Sequence, residues 1–117
     1  MAFKFENLRV WQEAIEFTDD VYLLAGKFPK GEIYGLSSQM KRATNSIALN
    51  IAEGASGNSN PEFKRFLTMA SRSCAEVISC LYLARRREFI SQIEFDGAYS
   101  KTESIFKMVN KLKSTLK

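Results

Sequence analysis

The chain has 117 residues, 45% hydrophobic and 26% charged, with no histidine, two cysteines and a net charge of +4. That length suits one domain able to bury a single core without disulfide or metal staples. The lack of histidine removes the commonest general base and the commonest transition-metal ligand. No apolar run reaches the roughly 20 residues of a membrane span. The start, Met1-Ala2-Phe3-Lys4-Phe5-Glu6, lacks the charged head and long apolar run of a secretory leader, so a cytoplasmic protein is expected.

The first segment, about 7–27, reads as a helix with Asn7 as its N-cap and with Leu8, Trp11, Ile15, Thr18, Tyr22 and Ala25 as its buried stripe. Glu13, Glu16, Asp19 and Asp20 make its outer side acidic. Val10, Phe17, Val21 and Leu24 then lie outside the stripe, a surplus of apolar surface that argues for self-association. Phe28-Pro29-Lys30-Gly31 ends the helix, because proline disfavours helix in the residue before it and glycine lets the chain turn.

The second segment, about 32–54, carries an apolar stripe of Leu36, Met40, Ala43, Ile47 and Ile51. Beside it, at the same spacing, runs a polar stripe of Gln39, Arg42, Ser46, Asn50 and Glu53. With small residues around it, this predicts a central helix whose polar stripe is buried and structural, bonded to Glu76 of the third segment or to another copy of the chain. Arg42 and Glu53 are separated by about 16 Å of helix rise and are not a simple pair.

Residues 55–60, Ala-Ser-Gly-Asn-Ser-Asn, lack the Lys-Ser/Thr pair and the preceding strand of a phosphate-binding loop and read as a flexible connection. The third segment, about 61–87, opens with Asn60 as N-cap and Pro61 at the first helical position. Its stripe is Phe63, Leu67, Ala70, Cys74, Val77, Leu81 and Ala84. Cys74 and Cys80 lie about 240° apart around this helix, so they cannot bridge each other and read as buried small hydrophobes. Ser91 and Glu94 match a capping box that opens the fourth segment, about 92–116, with Phe95, Ala98, Thr102, Ile105, Val109, Leu112 and Leu116 inward. Four helices with short connections predict an all-α, antiparallel up-down four-helix bundle.

No catalytic set, cofactor or metal site is expected: the thiols are badly placed for zinc, and carboxylate metal sites in bundles use Glu-x-x-His pairs, of which there are none. Glu53 and Glu76 could form a carboxylate pair, but structural hydrogen bonding is the simpler role. Positive charge gathers in the second half: residues 61–117 hold eleven Lys/Arg and six Asp/Glu, whereas residues 1–60 hold six and seven. This is either an ordinary solvated surface or the footprint of a polyanion. Lys64, Arg65, Arg72, Arg85, Arg86 and Arg87 on the third helix are the candidate contacts, with five lysines on the fourth. Some of the three consecutive arginines would serve the helix dipole. Without interleaved aromatics or helix-turn-helix spacing, any nucleic-acid contact would be with backbone and shape.

Leu8-Arg9-Val10-Trp11-Gln12-Glu13-Ala14, Phe28-Pro29, Glu32-Ile33-Tyr34-Gly35-Leu36, Gln39-Met40-Lys41-Arg42, Asn50-Ile51-Ala52-Glu53-Gly54 and Arg65-Phe66-Leu67 together resemble the four-helix-bundle proteins encoded in intervening sequences of bacterial 23S ribosomal RNA genes. The resemblance spans nearly the whole chain. Through a related group, the accessory variability determinants of diversity-generating retroelements, it implies a homopentamer whose basic surface binds nucleic acid and a reverse transcriptase. Two positions depart from the family's pattern: Ser56-Gly57-Asn58 stands where basic residues are frequent, and Arg72 where glycine is frequent. The expected function is therefore a non-enzymatic homo-oligomer that binds structured RNA or DNA, the alternative being a structural scaffold for another protein.

Overall fold

The computed structural model describes residues 2–117; Met1, the first residue of the segment read for a leader, lies outside them. Four helices carry the fold: α1 (Arg9–Ala25), α2 (Leu36–Ala55), α3 (Asn60–Arg86) and α4 (Gln92–Thr115). Two short 3-10 turns, Lys4–Asn7 and Lys30–Glu32, precede α1 and α2. Each helix packs on its neighbours in chain order and α4 closes back on α1, giving the antiparallel all-α bundle, 43 Å along its axis. No described helix is long and apolar enough to cross a membrane.

Three of the four inward stripes are where the spacing puts them. Leu36, Met40, Ala43, Ile47 and Ile51 of α2 are buried, as are all seven stripe residues of α3. In α4, Phe95, Thr102, Ile105 and Val109 are buried, and Ala98, Leu112 and Leu116 pack against them. The stripe of α1 is different. Val10, Ala14, Phe17, Val21 and Leu24 face the core, while Ile15 and Tyr22 are exposed and Leu8, Trp11 and Thr18 are half-buried. Both sets have helical period, and the set chosen by Trp11 and Tyr22 loses because those rings have an alternative: Trp11 packs edge-on against Phe5 of the first 3-10 turn, and Tyr22 accepts a hydrogen bond from Asn45. Val10, Phe17, Val21 and Leu24 are therefore core, not surplus surface.

Helix boundaries show three further differences. Asn7 ends a 3-10 turn rather than capping α1, whose N-cap is Leu8. Helix α2 begins at Leu36 rather than Glu32, because Gly35 has a non-helical backbone (φ −112°, ψ −117°) and Glu32 caps from outside, its carboxylate accepting the Leu36 N–H at 3.1 Å. The N-cap of α3 is Ser59, which accepts the Glu62 N–H at 3.3 Å; the Asn60 amide instead donates to the Lys117 carbonyl. The Ser91–Glu94 capping box is present as read.

The most extensive helix contact, α2 on α3, is a close one made possible by small residues. A Cβ on Gly54 would lie 2.7 Å from Phe66 Cβ and 2.9 Å from Phe63 Cδ1. Further along the seam the Ser73 hydroxyl donates to Ser46 Oγ at 2.9 Å, and Asn50 Nδ2 donates to Ser46 O and Oγ at 2.8 and 2.9 Å. Contact between α1 and α4 is the thinnest, bridged by ion pairs from Lys27 to Glu94 and from Lys101 to Asp20.

Candidate nucleic-acid interface

Helix α3 runs 27 residues, so its two basic clusters stand far apart: Lys64 and Arg65 in the first turn are about 30 Å from Arg85–Arg87 by helix rise. The six candidates therefore do not form one compact site. Arg65, Arg72 and Arg86 do share a face, because they are spaced by seven and fourteen residues, a period that drifts only about 20° per heptad.

Their freedom to take a ligand differs. Arg65 is engaged, donating to both carboxylate oxygens of Glu62 (2.6 and 3.3 Å) and lying over the Phe66 ring at 4.7 Å. That hydrogen bond lowers the Glu62 carboxyl and raises the Arg65 guanidinium from their ordinary values. Arg85 donates from Nε to Gln92 Oε1 at 2.9 Å. Arg72, Arg86 and Arg87 are exposed, and Lys64 is half-buried; none of these four cationic heads has a hydrogen-bond or ion-pair partner among the described residues.

The C-terminal end of α3 is built by a Schellman turn. Glu88 adopts the left-handed region (φ 59°), its N–H bonds to Arg85 O at 3.1 Å, and the Phe89 N–H bonds to Ala84 O at 2.9 Å. Phe89 then packs on Phe28 with ring centroids 5.5 Å apart, which ties the α3–α4 turn to the connection after α1. The exposed carbonyl end of α3 favours cations there, and this accounts for part of the arginine cluster.

The polar stripe of α2 divides. Ser46 and Asn50 are half-buried and bonded at the α3 seam as described. Gln39 is exposed and reaches Glu76 Oε2 only at 3.5 Å. Arg42 and Glu53 are exposed in the single chain with no partner among the described residues, so within one copy α3 buries only the Ser46–Asn50 part of the stripe. The α2–α3 contacts also separate the two carboxylates: Gly54 meets Phe63 and Phe66, whereas Gln39 meets Glu76, so Glu53 and Glu76 are about 15–20 Å apart along the bundle. They form no acid pair. Among the described residues no group of three or more His, Cys, Asp or Glu could hold a metal ion. Cys74 and Cys80 are free and buried, and burial pushes their thiols up to about 12 and about 11.

One residue at this end escaped the sequence reading. Tyr34, placed there within the second helix, stands in the turn before it and is 97% exposed. The signal was present in Gly31 and Gly35, which flank it and mark a turn rather than a helix start.

Known proteins place this arrangement. A crystal structure from Bacteroides thetaiotaomicron, described as a protein of unknown function from the S23 ribosomal protein family, superposes with a TM-score of 0.83 at 23% identity, covering 89% of this chain and 97% of the other. At that identity the likeness is one of fold. No curated protein matches. The family model for the 23S rRNA-intervening sequence protein matches residues 6–111, and the chain belongs to that family.

Proposed function

We propose that the protein is a non-enzymatic, homo-oligomeric helical bundle of the cytoplasm that binds structured RNA or DNA through backbone electrostatics. The observation that carries this reading is the outer face of α3, where Arg72, Arg86 and Arg87 are exposed without intramolecular partners. Acidic α1 does not pack against α3, so its carboxylates do not neutralise that face. Self-association is supported by apolar side chains that the single chain leaves in water: Leu23 (74% exposed), Leu49 (66%), Ile15 and Tyr22. The number of copies, five, follows only from the family resemblance, as does a reverse transcriptase as protein partner. Symmetry repeats each arginine, so weak contacts add through multivalency.

The test is nucleic-acid retention as a function of salt. Each phosphate neutralised contributes about −0.9 to the slope of log K against log salt on duplex DNA. Replacing Arg72, Arg86 and Arg87 with alanine should flatten that slope and weaken binding to all sequences alike. Equal retention by wild type and triple variant would overturn the site. A wild type that retains no nucleic acid at low salt would favour a protein-binding scaffold, for which the same exposed apolar residues would be the surface.

A further inference from the structure

Tyr34 is the most exposed of the large hydrophobic side chains, and Ile33 beside it is 55% exposed. Burying an aromatic ring is among the larger gains available to a folding chain, yet this ring is held out by a turn fixed at several points. Gly31 and Gly35 bound it, Glu32 caps α2 through the Leu36 N–H, and Phe28 packs on Phe89 just before it. The ring therefore projects from an ordered platform.

The register of α2 on α3 shows what lies level with it. Gly54 lies against Phe63 and Phe66, Ser46 against Ser73, and Gln39 against Glu76. Continuing that antiparallel progression beyond Leu36 brings Ile33 and Tyr34 to the height of the last turn of α3, where Arg86 and Arg87 are exposed and unpartnered. Lys30 is in the same connection. The carboxylates at this end are Glu32, turned to the α2 N-terminus, Glu88, exposed on the Schellman turn, Glu94, bridged to Lys27, and Asp96, which accepts from Gln92. The cations outnumber the carboxylates left unengaged. The aromatics nearest the arginines in sequence are engaged, Tyr82 edge-on against Phe95 with centroids 5.0 Å apart and Phe89 against Phe28. Tyr34, on a different connection, is the exposed ring left for a ligand.

We infer that this end of the bundle binds unpaired nucleotides, with a base stacked on the Tyr34 ring and the adjacent phosphates held by Arg86 and Arg87. Aromatic faces accept any base, and stacked bases in duplex are not available to them, so the site selects single-stranded segments without reading sequence. The inference rests on the nucleic-acid reading above and narrows its ligand to single-stranded or looped stretches.

The test compares a short oligothymidylate, an oligouridylate of equal length and a blunt DNA duplex, each titrated against wild type, Tyr34→Ala, Tyr34→Trp and Arg86→Ala/Arg87→Ala. Tyr34→Ala should weaken both single strands about tenfold, within the range seen when one stacking residue is removed, and leave the duplex and the salt slope unchanged. The arginine variant should weaken all three and flatten the slope. In a Trp11→Phe/Tyr34→Trp protein, tryptophan emission should be quenched by the oligonucleotides, a signature of ring-on-base contact that a merely structural tyrosine would not give. If Tyr34→Ala binds every probe as wild type does while the arginine variant is weakened, the stacking site is refuted and the electrostatic reading stands. If no probe binds wild type at low salt, both fall. If Tyr34→Ala lowers the oligomer mass and leaves binding intact, the residue is a subunit contact and the inference is wrong.

Discussion

The same substitution at two helical glycines should move stability in opposite directions. Glycine to alanine inside a helix normally gains about 1 kcal/mol from propensity and chain entropy. At Gly97 in α4 a new Cβ has nothing within 4 Å, so Gly97→Ala should stabilise by about 0.5–1 kcal/mol. At Gly54 the new Cβ would sit 2.7 Å from Phe66 Cβ and 2.9 Å from Phe63 Cδ1. Carbon atoms prefer about 3.5–4.0 Å. The Phe63 ring edge can swing aside, but Phe66 Cβ is fixed to the α3 backbone, so α2 and α3 must part by about 1 Å. Overpacking of this kind costs about 1–3 kcal/mol, which cancels or outweighs the propensity gain of about 1 kcal/mol and leaves Gly54→Ala destabilised by up to about 2 kcal/mol. Urea unfolding followed by far-ultraviolet circular dichroism would read both, and thermal melts should separate the two variants by several degrees. A Gly54→Ala protein stabilised in step with Gly97→Ala would refute the close approach of α2 to α3.

Glu88→Gly should stabilise the chain by up to about 1 kcal/mol by relieving a left-handed conformation at a non-glycine residue, and Glu88→Ala should not; the pair of unfolding midpoints checks it. The Glu94 carboxyl is pulled down to about 2, first by its hydrogen bond from Lys27 and then by the Ser91 N–H. Because its folded value lies below the ordinary 4.5, its contribution is present above that value and is lost as pH falls towards 2. Glu94→Gln should therefore melt with a shallower pH dependence over that window than wild type. With their thiols raised to about 12 and about 11 by burial, Cys74 and Cys80 should resist alkylation at pH 8 in the native protein and react fully in denaturant.

How far the fold could be read from the residues depended on whether competing stripes existed. In α3 a single apolar stripe runs from Phe63 to Ala84 and has no rival, so periodicity alone identifies the buried face. In α1 two stripes share the period, and choosing between them requires knowing that Phe5 and Asn45 supply partners for Trp11 and Tyr22. Those partners belong to other elements and carry no local signal. The polar stripe of α2 was legible as a stripe, but a helix period does not say how wide the neighbouring helix is: α3 covers Ser46 and Asn50 and leaves Arg42 and Glu53 outside. For the basic residues, sequence showed that they lie on one helix. It did not show that Glu62 and Gln92 occupy Arg65 and Arg85, nor that the turn bearing Tyr34 comes level with Arg86.

The thin α1–α4 seam also has a consequence for the order of assembly. The α1–α2, α2–α3 and α3–α4 contacts join helices adjacent in the chain, which close short loops at little entropic cost. Only α1 against α4 unites segments from opposite ends of the sequence, and it does so with the least packing and with two exposed ion bridges. The hairpin of α2 and α3, with its interlocked glycine and serine contacts, is the natural nucleus, and the outer helices close on each other last. Substitutions at Lys27 or Lys101 should then alter the unfolding rate and leave the folding rate almost untouched, whereas Gly54 or Ser73 variants that slow folding no more than these would show that the α2–α3 hairpin is not the nucleus.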